Sequence, residues 1–428
     1  MPTTDPTSTS LTSTPSPAGA IGAADCPAHG DVPLDYPFEP PSALDAPAEW
    51  AQLQRECPVA RVRAANGVEG MLLTRYEDVK TMLADPRFQR GPLAGEAGGF
   101  GDTSGGDPMF AALGSIMEGE GHMRWRRLLG RTFTVKRVAA MKPGIERLAH
   151  QLVDDMTADG ASADLRSAYA FPLPVFVICD LLGVPADDRD RFSEWSDRLL
   201  NLTRFSQEES LQAGMELYMY IHGLVQAKRQ EPGADLLSEL TTISDEDPDR
   251  LSEAELVLTG IGLLVAGHET TANMIGKMVA MLLADRSRWE ALLADRSLVG
   301  SAVEECLRYD ANLGFAMARH VDEEIGIADV TIPAGTTVWS VISAANRDET
   351  VFPDAARFDP RRSPNPHITF GSGAHSCLGQ SLARAELQIA LEVLLDRLPT
   401  LRLAVEADDL QRRDGLIVGG LEEVPVAW

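Results

Sequence analysis

Phe370-Gly371-Ser372-Gly373-Ala374-His375-Ser376-Cys377-Leu378-Gly379 decides the reading of this 428-residue chain. It places one thiol, Cys377, in a glycine-bent loop directly before a helix-forming run, Leu382–Leu398. A cysteine there faces the positive end of a helix dipole and unpaired amide N–H groups, and both favour thiolate over thiol. Gly371, Gly373 and Gly379 remove Cβ atoms where the backbone must turn sharply or approach a flat object closely. Phe370 supplies an aromatic cover on the sulfur side. The competing reading is a small buried core thiol, the common fate of a free cysteine. The glycines and the aromatic at fixed offsets weigh against it.

A thiolate presented in this way suits axial ligation of haem iron, where its electron donation favours O–O bond cleavage. The pattern F-x-x-G-x-x-x-C-x-G resembles the haem-binding loop of the cytochrome P450 family at every fixed position. The resemblance implies a mainly α fold with small β-sheets. Haem b would lie between a long central helix and the cysteine loop with its following helix. Cys377 would be the iron ligand, with Phe370, Gly371 and Gly379 against the cofactor.

Three further motifs point the same way. The run Glu253–Leu283 predicts a helix of about 45 Å at 1.5 Å per residue, long enough to cross a domain. Within it stands Ala266-Gly267-His268-Glu269-Thr270-Thr271. A mid-helix glycine costs about 1 kcal/mol, and close packing of Gly267, with Gly260 and Gly262, against a planar cofactor would repay it. A hydroxyl beside a carboxylate can pass protons inward. By resemblance, Ala266 and Gly267 border the haem, Thr270 hydrogen-bonds bound dioxygen and Glu269 feeds the relay. The alternative is a polar helix turn with Thr270 bonded back to a carbonyl. A zinc-protease motif is excluded, because Ala272 stands where H-E-x-x-H needs histidine.

Glu305 and Arg308 share a helix face at spacing three. The resemblance joins them to Arg357 in a network supporting the haem loop. His122 and Arg126, four apart in GHMRWRRLLGR, match residues that hold the haem propionates, together with Arg319 and His375. The sequence departs from the family in reading Met117-Glu-Gly-Glu-Gly-His122 where relatives commonly carry D-P-P-E-H. A solvated basic face is the competing reading of that helix. Arg124, Arg126, Arg127, Arg131, Lys136 and Arg137 form a local basic patch that would steer an acidic partner. By resemblance that partner is a ferredoxin, served by a ferredoxin reductase.

The net charge of −26 argues against a nucleic-acid or anionic-membrane partner. Five widely spaced cysteines form no disulfide or zinc framework and fit a reducing cytoplasm. Residues 1–33 are Thr/Ser/Pro-rich and read as a disordered tail, without a signal peptide or membrane anchor. Residues 34–428 read as one P450 domain. Asn66-Gly67 predicts a type I′ hairpin between Val59–Ala64 and Glu69–Thr74. Helices are expected at Tyr76–Leu83, Gly121–Phe133, Pro143–Met156, Phe176–Leu182, Asp187–Leu200, Glu209–Arg229 and Ser287–Tyr309. Short strands are expected at Glu324–Ile332, Thr337–Ser343, Leu401–Val405 and Leu416–Val426. The glycine-rich stretch 91–108 lacks the third glycine and the flanking elements of a dinucleotide loop.

The resemblance implies a monomeric monooxygenase that hydroxylates or epoxidises a secondary metabolite, nearest to macrolide and polyketide tailoring, with O2 and electrons from NAD(P)H. Its substrate pocket would comprise Leu263 and Ala266, Leu313, Gly314, Phe315 and Ala316, and Leu416, Ile417 and Val418. The 91–113 loop and the Asn201–Gln212 region would form a lid. The alternatives are a peroxide-driven or non-redox haem-thiolate enzyme and a non-catalytic haem-binding protein.

Overall fold

The computed structural model describes residues 32–90, 114, 116–158, 160–200, 204–247, 250–311, 316–413 and 418–428. The expected tail before residue 32, the 91–113 loop, Asn201, Leu313, Gly314, Phe315, Leu416 and Ile417 lie outside them.

The chain opens with β1 (Leu34–Tyr36), α1 (Ala48–Glu56), the hairpin β2 (Val59–Ala64) and β3 (Glu69–Leu73), α2 (Tyr76–Ala84) and the short β4 (Phe88–Gln89). Helices α3 (Gly119–Gly130) and α4 (Val135–Thr157) follow, then β5 (Ser162–Asp164), a π-turn at Arg166–Ala170, α5 (Pro172–Leu182), α6 (Arg189–Leu200), α7 (Gln207–Gln230) and α8 (Leu236–Glu246). The long α9 (Glu253–Leu283) leads to α10 (Arg286–Ala294) and α11 (Val299–Tyr309). Strands β6 (Met317–Val321), β7 (Ile325–Ile327), β8 (Val330–Ile332) and β9 (Thr336–Ser340) precede α12 (Ile342–Ala345), α13 (Gln380–Arg397), β10 (Arg402–Leu403) and β11 (Pro425–Ala427).

A six-stranded sheet runs β1-β2-β3-β9-β6-β4, and a smaller one β10-β11-β5. Gly70 of β3 faces Thr337 of β9; any Cβ there would run into the Thr337 carbonyl, so only glycine permits this parallel pairing. The largest apolar core lies among the helices and is centred on α9, while two smaller cores cover the faces of the six-stranded sheet. Helix α9 starts where the sequence places it, because Ser252 and Glu255 form a reciprocal capping box.

Several expectations are corrected. The β2–β3 turn has positive φ at Gly67 and not at Asn66, and Gly67 N donates to Ala64 O. It is a type I turn closed by a glycine bulge, whereas type I′ requires positive φ at both central residues. Pro143 lies inside α4 rather than at its start. Ser287–Tyr309 is two helices, split where the Asp295 side chain caps a 3-10 turn. Glu324–Ile332 is a hairpin whose turn, Ala328-Asp329, adopts positive φ without glycine. Cys57 is disulfide-bonded, so the chain is not one of reduced thiols throughout. Among the described residues, no helix is long and apolar enough to cross a membrane.

Candidate haem-thiolate site

The cysteine loop is folded by its glycines and one cross-loop bond. Gly371 and Gly373 adopt φ of 75° and 71°. A Cβ on Gly373 would stand 2.6 Å from Ala84 Cα at the end of α2, so the loop docks on that helix only through glycine. Cys377 N donates to Phe370 O at 2.7 Å and closes the loop. Gly379 then caps α13, and Arg384 of that helix stacks 4.4 Å from the Phe370 ring centre. Cys377 is accessible to solvent. The expected thiolate preference does not hold for the polypeptide alone. Although part of the residue is exposed, the protein packed around its sulfur desolvates the thiol and pushes its pKa up, outweighing the Gly379 and Gln380 N–H groups and the Arg126 and Arg384 charges that favour thiolate.

Helix α9 is buried along most of its length, yet Gly262 and Ala266 are exposed at its middle, with Thr270 half-exposed one turn on. These residues, four apart, share one face. A Cβ on Gly262 would meet nothing. Gly267 is on another side: its Cβ would press to 2.9 Å from Ile178 of α5, and that of Gly260 to 2.8 Å from Ile221 of α7. The cost of these two glycines is therefore repaid by helix packing, not by a planar cofactor. That corrects the assignment of Gly267 to the haem face.

Basic side chains gather on the other side of the loop. Arg319 donates to Ala318 O, while its buried Nη2 has no partner; burial and the Arg90 charge lower its pKa to about 10. Arg90 Nε and His375 Nδ1 are likewise buried and unpartnered. His375 stacks on His122 at 4.1 Å, and burial, Arg90 and His122 bring its pKa down to about 4 despite a contact with Glu118. Arg319, His122, His375 and Glu118 line a cavity of about 820 Å³. The unpartnered Arg319 and His375 nitrogens at this cavity call for an acceptor such as an anion. Arg126 is engaged differently, donating to Ser376 O at 2.7 Å beside Cys377. An accessible thiol, an open small-residue strip and unmatched cationic donors fit the iron, the flat ring and the carboxylates of haem b.

Two adjacent carboxylates brace the loop from below. Glu305 is fully buried and accepts from Arg308 Nε and Nη2 at 2.8 Å, from Arg362 and Asn365, and from Asp359 N. Arg357 contributes only its carbonyl, which accepts from Arg308 and Arg362. Arg362, not Arg357, supplies the third charged side chain, because the 353–362 segment curls so that the later arginine reaches Glu305. Glu304 accepts from Arg384 at 2.8 and 3.0 Å and from His367 at 3.0 Å. Burial alone would raise its pKa, but the His367 and Arg384 hydrogen bonds prevail and hold it at about 2.

On α9, Thr270 donates to Ala266 O at 2.8 Å, the back-bond considered from sequence. Glu269 is buried; its Oε1 accepts from Asn273 Nδ2 at 3.1 Å and from Arg413 Nη1 at 3.2 Å. Arg413 also donates to Asp197 of α6 at 2.7 Å. Arg413, Asp197, Arg362 and Glu304 were not singled out from sequence: their partners lie from 57 to 216 positions away, or nearer only through loops. Of the pocket residues, Leu263, Ala316 and Val418 are described and at least partly buried.

The basic patch is smaller than its composition suggests. Arg124 pairs with Glu255, Arg137 with Glu239 and Arg131 with Asp247, because α8 and the start of α9 present acids to α3 and α4. Arg127 and Lys136 are exposed.

Residues 206–403 match the family model described as Cytochrome P450. The chain is 42% identical over 398 residues to the mycinamicin IV hydroxylase/epoxidase of Micromonospora griseorubida, covering 92% of this chain and 99% of that protein. It is 42% identical over 396 residues to the nocardicin C N-oxygenase of Nocardia uniformis subsp. tsuyamanensis, covering 92% and 98%. The solved structure of the putative thioether synthase SgvP, involved in the tailoring step of griseoviridin, superposes with a TM-score of 0.84 at 38% identity, over 92% of this chain and 99% of that one. Fold, loop and relatives agree: this chain belongs to the cytochrome P450 family and is a haem b-dependent monooxygenase.

Proposed function

We propose that this monooxygenase hydroxylates or epoxidises a macrolide or related polyketide, drawing electrons from NAD(P)H through a ferredoxin reductase and an acidic ferredoxin, as a monomer in the cytoplasm. The observation that carries the reading is the accessible Cys377 at the start of α13, together with the open Gly262–Ala266 strip on α9. The substrate class rests on likeness to the mycinamicin hydroxylase/epoxidase. A peroxide-driven or purely haem-carrying protein would not need the Glu269–Thr270 pair.

In this reading Cys377 ligates the iron. Cys377 would hold that iron as thiolate, the metal's charge offsetting the burial that raises the free thiol. Arg319, His375 and His122 hold the propionates, and Arg126 braces the loop through Ser376. Bound haem supplies the activation of dioxygen and the transfer of one oxygen atom to substrate. Thr270 presents a hydroxyl proton at the open face of α9, and Glu269 replenishes it. Leu263, Ala266, Ala316 and Val418 give an apolar wall that orients substrate and excludes water.

A substrate-binding difference spectrum across macrolides, terpenoids and steroids tests the class. Saturable shifts confined to macrolides support it; a response only to the other classes overturns it. Cys377→Ser tests the ligand, since the reduced carbon monoxide complex should lose its strongly red-shifted Soret band.

A further inference from the structure

His268 stands within Ala266–Thr271, and no motif gives it a task. It is 1% exposed, packed edge-on against Phe171. Its Nδ1 lies 2.7 Å from Leu264 O. A carbonyl can only accept, so Nδ1 carries the proton and, in the neutral ring, Nε2 is a bare lone pair. That Nε2 is buried, has no hydrogen-bond partner and lies 4.0 Å from Glu269 Oε2.

Burial keeps the ring neutral, against the Glu269 charge and the Leu264 hydrogen bond, which act the other way. Glu269 Oε1 faces Arg413 and Asn273, Arg413 also meets Asp197, and Arg166 lies close enough to feel Glu269, Arg413, Asp164 and Asp197. An imidazolium would have to be formed in a site 1% exposed, with no acceptor within hydrogen-bond reach of Nε2. Burial therefore depresses the His268 pKa.

We infer that His268 is a positioning residue for Glu269: its Nε2 accepts a hydrogen bond from Oε2 whenever that carboxyl is protonated, and so holds a proton ready beside Thr270. Arg413 and Asn273 occupy Oε1, which leaves Oε2 as the oxygen that takes the proton. When that proton moves on toward the Thr270 hydroxyl, the Oε2–H bond breaks, Glu269 returns to carboxylate, and His268 neither gains nor loses a proton. The hydroxyl passes its own proton onward.

The inference rests on the monooxygenase reading for its purpose, but its test does not. Infrared difference spectra of the haem-loaded protein over a pH series should show a protonated-carboxyl band that Glu269→Gln deletes. His268→Leu removes the acceptor at similar bulk, and the band should then appear about one pH unit lower, the size of one lost hydrogen bond to the neutral acid. His268→Gln, whose side-chain carbonyl can accept, should restore most of the shift. The carbon monoxide spectrum in each variant reports the haem-thiolate separately, so loss of that spectrum would indict the cofactor reading alone. A band appearing at one pH in wild type and both variants, or one indifferent to Glu269→Gln, would overturn the assignment.

Discussion

Arg413 bonds Glu269 at 3.2 Å with one guanidinium nitrogen, and with the other it reaches Asp197, tying the central helix to α6 through a side chain only 9% exposed. The contact joins residues 144 positions apart and places a fixed cation on one oxygen of Glu269, the residue before Thr270 in the chain.

Replacing Arg413 by glutamine should leave Glu269 with Asn273 and the charge of Arg166, and Asp197 with Arg204. Breaking a buried pair by removing one partner costs about 3–5 kcal/mol. Asp197 is 31% exposed and can recover water, so the lower end of that range is expected. Asp197→Asn should cost much less, since Arg413 keeps Glu269. Denaturant midpoints of the two variants check the order; equal losses would show that the Glu269 contact carries no special weight.

The local motifs were legible because their chemistry is contiguous: Cys377 with its glycines, and Ala266–Thr271 with its capped helix. What escaped depends on distant chain. Pro143 resembles a helix start, since proline is favoured at the first helical position. The true start is set by Thr134 accepting from Arg137 N, eight residues and more than two turns earlier. Gly267 in mid-helix calls for a close neighbour, and Ile178 of α5 claims the space. The basic patch was counted from one segment, whereas the acids that neutralise half of it sit on α8 and α9.

Thr270→Ala should preserve substrate binding but divert reducing equivalents to hydrogen peroxide. The hydroxyl is half-exposed on the open strip of α9 and holds its proton on Ala266 O, available for release toward that face. Loss of a positioned proton donor costs about 10²-fold or more in the step it serves. Product formed per NAD(P)H consumed is the measurement, and unchanged coupling would exclude Thr270 from proton delivery.

Glu304 gives a pH dependence with a definite sign. Its folded pKa of about 2 lies below the ordinary 4.5, because His367 and Arg384 outweigh the cost of burial. A depressed carboxylate contributes stability that is full above the unfolded value and is lost as pH falls through the folded one. Wild type should therefore exceed Glu304→Gln in stability by a few kcal/mol near neutrality. The gap should close between about pH 4.5 and pH 2. Parallel denaturation midpoints for the two proteins across that window would refute the clamp.

Partner docking should depend on Arg127 and Lys136, two of the exposed cations of the basic segment. Arg124, Arg131 and Arg137 are paired with acids on neighbouring helices, so their charge is largely spent within the protein. Reversing Arg127 and Lys136 to glutamate should slow electron transfer from an acidic ferredoxin by about tenfold at low salt, the lower bound for electrostatic steering. The effect should shrink as ionic strength rises past about 0.1 M, where the Debye length is near 10 Å. Because Arg127 lines the same cavity as Ala374 and His375, the carbon monoxide spectrum and substrate affinity are measured alongside to separate docking from any effect on the haem site. Reversing Arg124 instead would break its pair with Glu255 at the start of α9 and should cost stability as well as rate. Equal transfer rates for wild type and the Arg127/Lys136 variant, at every ionic strength, would show that this face is solvated and that docking lies elsewhere.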